Sequence, residues 1–311
     1  MTSLIDKYDM SYVLPPFGLK NTGVICHLNS FIQALISCTS VTKFFLNNEK
    51  RFITEKNVVA IEYINLLKQV TNNLLKKSNN ILDPVDLFNS IVLKTHEKYP
   101  NKKFGRGQED SGEGLHLFLD AIDDIGLYKL FTHTYTSTIW CINCDKQVCK
   151  NYDNSIQFEV SKNYNPLKTL NKSNHHSLNN YLYQYVNSHP DYTCKLCGVK
   201  KCCSVYQLSR IPEIITIMFV KFQEKYMAEF PKYMYFPNTT GYLKFKIVAT
   251  IEQSGNMKGG HYWSHGLRKE QNEEKMFVLN DSSYTEKCDM KASPSTYFVI
   301  YHYIGDVLET D

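Results

Sequence analysis

Apolar residues recur at helical spacing through much of the first half of the chain. Between Asn29 and Leu46, for example, Phe31, Ile32 and Leu35 fall on one side of a helical wheel. Because residues three and four positions apart share a face of a helix, this pattern predicts amphipathic helices that pack on a core. The predicted helices are Asn29 to Leu46, Val58 to Leu75, Pro84 to Tyr99 and Asp110 to Ile125.

From Tyr135 onward the pattern changes to short β-branched and aromatic runs bounded by turn residues, which predicts strands. Since helices come first and strands later, the predicted fold class is α+β. A polar segment from Ser161 to Pro190 is expected to be an extension on the fold. The predicted strands are Tyr135 to Trp140, Ser155 to Val160, Val205 to Leu208, Ile214 to Val220, Lys244 to Ile251, Met276 to Leu279 and Tyr297 to Tyr303.

Composition and charge exclude some classes of protein but do not identify a binding partner. With 311 residues and 43% of them apolar, the chain can bury one large core or two ordinary ones. The formal charge is only +4 and the lysines are scattered along the sequence, which argues against a dedicated nucleic-acid or membrane surface. The first residues, from Met1 to Leu14, lack a signal-peptide pattern, and no apolar run is long enough to span a membrane.

We therefore expect a soluble protein of the cytosol or nucleus. The abundance of Lys, Asn, Ile and Tyr is typical of an AT-rich genome, such as that of a parasite or a large DNA virus. A viral protein of this kind would act inside the host cell.

Four of the ten cysteines form two C-x-x-C pairs, a spacing that suits metal or redox chemistry in a reducing compartment. Each pair follows an extended run, so the pattern predicts two knuckles that close one tetrahedral Zn²⁺ site. Four thiolates leave no open coordination position, so the metal would be structural. The alternatives are four free thiols or a redox pair, and Cys202 and Cys203 compete as ligands. The pairs are Cys141-Ile-Asn-Cys144 and Cys194-Lys-Leu-Cys197.

Cys26 is a candidate nucleophile because it lies where a glycine-containing loop meets the start of a predicted helix. A helix N-terminus lowers the pKa of a thiol and favours the thiolate. Its free N–H groups can also bind an oxyanion, and Asn21 can add a side-chain donor. Taken alone, however, a cysteine beside Ile and Leu is more often a small buried apolar residue.

His261 is the candidate base. The segment Gly259-Gly-His-Tyr-Trp263 precedes a predicted strand, and its paired glycines leave room for an imidazole to reach a cleft. Further along, Asn280 and Asp281 follow a strand and can accept a hydrogen bond from the imidazole. Taken alone, His261 would be interpreted as a structural histidine. The Asn-Asp pair would be interpreted as ordinary residues of a turn.

Both segments resemble motifs of the ubiquitin-specific protease family. The histidine segment is similar to the family's Gly-His-Tyr, Asn/Asp-Asp-Ser and closing-strand pattern, the last seen in Thr296 to Tyr301. The chain departs from the family at Ile25 and His27, where Thr and Tyr are usual, and at Tyr284, where Val is more common. The nucleophile segment agrees with the family at Gly18, Leu19, Asn21, Gly23, Cys26, Asn29, Ser30, Gln33 and Leu35.

The resemblance implies a role for each candidate residue. Cys26 would be the nucleophile, Asn21 would help to form the oxyanion hole, and His261 would be the base. Asn280 would be the third member of the triad, and Asp281 the acidic neighbour that assists it. The implied activity is hydrolysis of the (iso)peptide bond after the C-terminal glycine of ubiquitin, and the expected partners are ubiquitin and proteins conjugated to it.

A weaker resemblance concerns Phe104 to Glu113, which is similar to the family's Gln-Gln-Asp-Ala-His-Glu-Phe box. It implies that Asp110 grips the basic C-terminal tail of ubiquitin. Asp110 is also a good helix N-cap, and both roles can hold together. Gly112 and Gly114 replace better helix formers of the family box. The segment from Leu208 to Phe222 resembles the family's apolar palm strand, with Lys221 in place of Arg.

Together the boxes run from Phe17 to about Tyr303, and the resemblance implies a thumb, palm and fingers architecture with zinc in the fingers. We expect a monomer that binds neither nucleic acid nor membranes. The expected regions are an N-terminal extension (1–16), a catalytic domain (17–303) made of thumb (17–130), fingers (131–210) and palm (211–303), and a C-terminal tail (304–311).

Three other interpretations remain open at this point. The modifier that is cleaved could be a ubiquitin-like relative. The protein could be a non-catalytic ubiquitin-binding scaffold, with Ile25, His27, Gly112 and Gly114 as marks of decay. A zinc-stabilised nucleic-acid module is the third, but it needs a localised basic or aromatic face that the sequence does not show.

Overall fold

The computed structural model describes residues 9–76, 81–105, 107, 109–161, 182–189, 192–220, 230–256, 259–287 and 289–308. Arg106, Gln108, Lys221, Phe222 and Cys288 lie outside the described residues, as does most of the polar extension. Helices dominate up to Phe131 and strands follow, as predicted. The helices are a 3₁₀ turn (Met10–Tyr12), α1 (Cys26–Ile36), α2 (Thr39–Asn47), α3 (Glu49–Thr54), α4 (Val58–Lys76), α5 (Val85–Lys98), α6 (Ser111–Ile122) and α7 (Ile125–Phe131).

The strands form three sheets. A parallel pair near the N-terminus joins β1 (Gly18–Leu19) to β2 (Ile81–Leu82). The other strands are β3 (His133–Cys141), β4 (Lys146–Ser155), β5 (Phe158–Ser161), β6 (Gln184–His189), β7 (Cys202–Arg210), β8 (Ile214–Val220), β9 (Tyr233–Pro237), β10 (Gly241–Asn256), β11 (Gly259–Glu270), β12 (Glu273–Asn280), β13 (Ser283–Lys287) and β14 (Thr296–Leu308).

An eight-stranded sheet has the order β13-β12-β11-β10-β14-β8-β5, with β9 also paired to β10. The interior strand β14 is buried from Thr296 to Tyr303, because it has strands on both sides and its alternate residues enter two apolar clusters, one on each face. A four-stranded sheet, β4-β3-β7-β6, carries the two C-x-x-C pairs at one end. The described end of the polar extension joins this second sheet as β6, and Leu182 just before it is buried.

Helix α1 is the centre of the helical region, and all its residues are buried. A helix that is buried all round must find partners for its polar side chains as well as its apolar ones. On its apolar side Phe31 packs edge-on against Phe118, with ring centroids 5.4 Å apart. Phe118 in turn contacts Tyr63 and Phe45, so α1, α2, α4 and α6 share one aromatic cluster.

Some boundaries differ from the prediction for local reasons. The single helix expected from Asn29 to Leu46 is two helices, because Cys38 adopts an extended backbone that ends α1 and starts α2. Asp123 closes α6 in the left-handed region, with φ 52°, so that helix ends before Ile125. Strand β14 continues to Leu308, opposite Gly241, and therefore runs into the segment expected to be a tail.

The segment before Phe17 also contacts the fold. Val13 and Leu14 are buried, and the carbonyl of Leu14 accepts a hydrogen bond of 2.8 Å from the backbone N–H of Lys269. These contacts attach the extension to β11. No described helix combines the length and apolar character that crossing a bilayer requires.

We expect Phe118→Ala to lower the free energy of unfolding by about 3–5 kcal/mol, because it leaves a cavity among packed rings. Urea denaturation followed by fluorescence measures this change. Leu93→Ala is the matched control, because Leu93 is 59% exposed and a surface change of this kind shifts stability by at most about 0.5 kcal/mol. Equal midpoints for the two variants would contradict the aromatic core described here.

Candidate active site and metal centre

Cys26 is the first residue of α1 and its side chain is only 2% exposed. Burial raises the pKa of the thiol above its ordinary value, a hydrogen bond from the backbone of Tyr262 lowers it, and the charge of Asp281 raises it. The lowered pKa expected from the helix N-terminus is therefore outweighed by desolvation. The raised pKa keeps the resting group a thiol at neutral pH.

His261 lies on β11, next to the residue whose backbone contacts the thiol. Its Nε2 is 2.7 Å from Oδ1 of Asn280, at the end of the neighbouring strand β12. An amide oxygen can only accept, so Nε2 carries the proton and Nδ1 is left as the acceptor. The ring also stacks on Trp263, with centroids 6.0 Å apart. Together these contacts fix both the tautomer and the orientation of the imidazole.

Asp281 binds two side-chain amides of the nucleophile segment. Its Oδ2 accepts a hydrogen bond of 3.0 Å from Asn21, and its Oδ1 accepts one of 2.7 Å from Asn29 on α1. The backbone carbonyl of Asp281 accepts another from the N–H of Leu19, at 2.8 Å. This residue, expected beside the imidazole, therefore holds the oxyanion candidate Asn21 and the first turns of α1.

The loop that carries Asn21 lies directly on the turn after β12. A Cβ added to Gly18 would stand 2.3 Å from the carbonyl oxygen of Ser282, far inside van der Waals contact. Asp281 itself adopts a left-handed backbone, with φ 47°. Only a residue without a side chain at position 18 lets these two backbones meet.

Asp110 caps α6, as the sequence allowed. Its Oδ1 accepts hydrogen bonds from the backbone N–H groups of Gly112 and Glu113, at 2.8 and 3.0 Å. Its Oδ2 accepts a hydrogen bond of 2.6 Å from the hydroxyl of Tyr297 and a longer one, 3.4 Å, from Tyr262. Sequence reasoning missed both tyrosines, since nothing in their spacing links strands β11 and β14 to this carboxylate.

His27, which replaces the family's tyrosine, fits the interior as a neutral ring. Burial lowers its pKa to about 4, and its Nδ1 lies 3.0 Å from the carbonyl of Val24. The rings of Phe88 and Phe104 meet it edge-on at 6.2 and 6.0 Å. Its Nε2 is buried without a hydrogen-bond partner, so packing and the contact with Val24 hold the ring.

The two C-x-x-C pairs meet at one end of the four-stranded sheet, although fifty residues separate them in sequence. Sγ of Cys141 lies 3.7 Å from that of Cys197, Sγ of Cys144 lies 3.9 Å from that of Cys194, and all four atoms lie within 4.8 Å of one another. Thiolates about 2.3 Å from a tetrahedral zinc ion stand about 3.8 Å apart, so this set could hold such a metal.

Backbone donors support the same interpretation. Hydrogen bonds from the backbone of Cys144, opposed by desolvation and aided by Asn143, lower the pKa of Cys141 to about 6, whereas burial and the neighbouring thiols raise the pKa of Cys144. The N–H of Leu196 points at Sγ of Cys194, at 3.4 Å. Such N–H groups favour thiolates, the form that binds metals.

Cys202 and Cys203, which the sequence offered as competing metal ligands, lie on opposite faces of the sheet. Cys202 pairs with Cys141 across the two strands and is buried beside the cluster. Cys203 pairs with Trp140, and successive residues of a strand point to opposite faces. Cys203 therefore lies on the side of the sheet away from Cys141.

In this fold a helix carries the buried thiol of Cys26, and the neighbouring sheet carries the imidazole of His261 bonded to Asn280. The profile of the family described as ubiquitin carboxyl-terminal hydrolase matches residues 17–301. The chain belongs to this family, and it is a cysteine-type ubiquitin hydrolase. The family resemblance inferred from the sequence is thereby confirmed.

Among solved structures, the chain is similar to the SAGA DUB module of Ubp8, Sgf11, Sus1 and Sgf73 bound to monoubiquitin, with a TM-score of 0.70 and 15% identity over 97% of this chain and 72% of that one. The same module bound to ubiquitin aldehyde gives a TM-score of 0.70 and 15% identity, covering 97% and 71%. A yeast SAGA module with an Sgf73 mutant gives 0.67 and 15%, covering 97% and 70%. These likenesses confirm the fold class.

We expect the purified wild-type protein to carry about one zinc ion per chain, because the four thiols suit a closed tetrahedral site. Cys194→Ser removes a buried ligand and should lose most of that metal. Cys203→Ser, on the other face of the sheet, should keep it. Inductively coupled plasma mass spectrometry measures the content, and equal zinc in the two variants would show that the cluster is not the metal site.

Proposed function

We propose that this protein hydrolyses the (iso)peptide bond after the C-terminal glycine of ubiquitin, with Cys26 as nucleophile and His261 as general base. The observation that carries the proposal is the pairing of His261 with Asn280, 2.7 Å apart, on the sheet against which the helix of Cys26 packs. A nucleophile, a base and an orienting group are the three parts that thiol hydrolysis requires.

In the first step the proton of the Cys26 thiol passes to Nδ1 of His261 as the sulfur attacks the glycine carbonyl. The new oxyanion is held by the side-chain amide of Asn21 and by N–H groups at the start of α1. The imidazolium then gives its proton to the leaving lysine amine. Water, activated by the same imidazole, cleaves the thioester and returns the free thiol.

The burial of Cys26 supports a direct role for the base. Because burial raises the pKa of the thiol, little thiolate forms without a partner that accepts the proton. The hydrogen bond from Nε2 to Asn280 keeps Nδ1 free for that task. This arrangement favours an enzyme over the non-catalytic scaffold, which has no need of an oriented imidazole.

Asn21 and Asp281 would act as one unit. The carboxylate of Asp281 accepts from one N–H of the Asn21 amide, and the Oδ1 of Asn21 accepts from the backbone N–H of Gly23, at 3.1 Å. These two bonds fix the amide plane before substrate arrives, so its second N–H can point at the oxyanion.

Ubiquitin is the modifier that we propose, since the similar solved modules carry monoubiquitin or ubiquitin aldehyde. A ubiquitin-like relative remains the alternative substrate. The role of Asp110 as a contact for the basic tail of ubiquitin stays a prediction. Its hydrogen bonds with Tyr262 and Tyr297 would orient the carboxylate for that task.

We also propose that the metal of the four cysteines is zinc and that it holds the fingers together without taking part in chemistry. When bound, it would tie the turn after β3 to the turn before β7. No disulfide joins the nine cysteines among the described residues. Their number favours a reducing compartment, the cytosol or nucleus.

The wild-type protein should release a fluorophore from ubiquitin that carries a C-terminal fluorogenic amide, and Cys26→Ala should release none. Cys38→Ala is the matched control, because Cys38 is also buried but lies at the far end of α1. Activity that survives in Cys26→Ala would reject the assigned nucleophile. Silence of the wild type on ubiquitin, with cleavage of a ubiquitin-like fusion, would redirect the proposal to that modifier.

Asp281→Asn places an amide N–H₂ against the amide of Asn21 or of Asn29 and breaks one of the two hydrogen bonds. We expect kcat to fall by about tenfold to a hundredfold, with KM nearly constant, because an oxyanion donor acts in the transition state. Asn21→Ala should lower kcat by a similar factor, and the double variant should be no worse than either. Additive losses would mean that Asp281 acts elsewhere, for example on His261.

A further inference from the structure

Arg268 is the largest side chain that is fully buried among the described residues, at 0% exposure. It lies on β11, the strand that begins with His261, and it extends under α1. Burial of a guanidinium is rare unless its charge is compensated, because desolvation of an ion is costly. Arg268 has no role in the reaction proposed above.

The guanidinium binds the last turn of α1. One terminal nitrogen, Nη1, donates to Oγ of Ser37 at 2.7 Å and to the carbonyl of Leu267 at 2.8 Å. The other, Nη2, donates to the backbone carbonyl of Gln33 at 2.8 Å and to the side-chain oxygen of the same residue. Every one of these acceptors is a neutral oxygen.

Among the residues that the structure describes, no carboxylate pairs with Arg268. Its charge is balanced by the carbonyl end of α1, where the helix dipole is negative, and by the ring of Phe17, 5.5 Å away. Burial lowers its pKa only to about 9, so the group stays charged at neutral pH. Among the described residues, the guanidinium therefore contacts neutral oxygens and an aromatic ring, and no anionic side chain.

Gln33 extends the contact to a third segment. Its Nε2 donates to the carbonyl of Phe17 at 2.8 Å, and Phe17 directly precedes the loop that carries Asn21. The hydrogen bonds of Arg268 and Gln33 thus connect β11, α1 and the loop before it. These segments carry His261, Cys26 and Asn21.

We propose that Arg268, acting through Gln33, is a positioning residue that fixes the nucleophile helix and the oxyanion loop relative to the strand of the base. The proposal rests on the catalytic roles assigned to those three segments above. Its physical basis is the rigid fork of the guanidinium, which ties two acceptors of one helix turn to one strand. A shift of α1 along β11 would break several bonds at once.

The test compares Arg268→Met and Gln33→Leu with the wild type in the fluorogenic ubiquitin assay. We expect kcat to fall by about tenfold to a hundredfold in each, with KM within about twofold, since misplaced catalytic groups slow chemistry more than binding. The double variant should lose no more than the worse single one, because both act through one set of bonds. Arg268→Lys, which keeps the charge but not the fork, should recover only part of the loss.

Lys269→Met is the matched control, since it removes a neighbouring cation that is not buried. It should leave kcat unchanged. A general loss of stability would lower the amount of active enzyme, so rates are referred to the fraction of Cys26 that reacts with a ubiquitin probe. Unchanged kcat in Arg268→Met, or fully additive losses in the double variant, would overturn the proposal.

Hydrogen exchange of backbone amides tests the positioning role of Arg268 without relying on the cleavage of ubiquitin. In Arg268→Met, peptides that cover residues 17–26 should exchange faster, while peptides of β8 and β14 keep their protection. This result is expected whether or not the enzyme cleaves ubiquitin. A silent wild type would reject the function alone, whereas unchanged exchange over residues 17–26 would reject the positioning role alone.

Discussion

The structure depends on the burial of α1 between the helical region and β11. This helix begins with Cys26, and it is buried along its whole length although it includes polar side chains such as Asn29 and Gln33. A buried polar group without a partner costs about 1–3 kcal/mol, so each of these side chains must be bonded. The partners come from the sheet and from the loop before α1, and they fix the position of the helix.

Each end of α1 is bound to the sheet by a charged residue. At the N-terminal end, Asp281 accepts from Asn29 and from Asn21. At the C-terminal end, Arg268 donates to Gln33 and Ser37. The signs agree with the helix dipole, with the anion at the amino end and the cation at the carboxyl end. Burial, joined by the charge of Asp281, raises the pKa of the Cys26 thiol.

The four-cysteine cluster depends on a different interaction from the one that holds α1. The cysteine pairs lie at one end of the four-stranded sheet, and there the cysteines pack with only a small group of partly buried side chains. Where a core is this small, thiolates around a metal can replace hydrophobic burial as the source of stability. The base of the same sheet joins the main fold through Leu208 and Tyr135. A metal bound there would therefore be structural in position as well as in donor set.

The sequence by itself determined the fold class, most helices and most buried strands, and it named the residues proposed for the site, because periodicity and motif spacing are local properties. It did not give β11, the interior strand that carries His261. It did not determine the partners of Asp281, of Asp110 or of Arg268. Those are set by contacts between segments far apart in the chain, and the same carboxylate is equally compatible with a turn, a cap or a catalytic role. Edge strands such as β4 and β13 also escaped prediction, since their exposed residues carry no apolar pattern. Only the packed structure decides which buried donor meets which acceptor, because that choice minimises unpaired polar groups over the whole molecule at once.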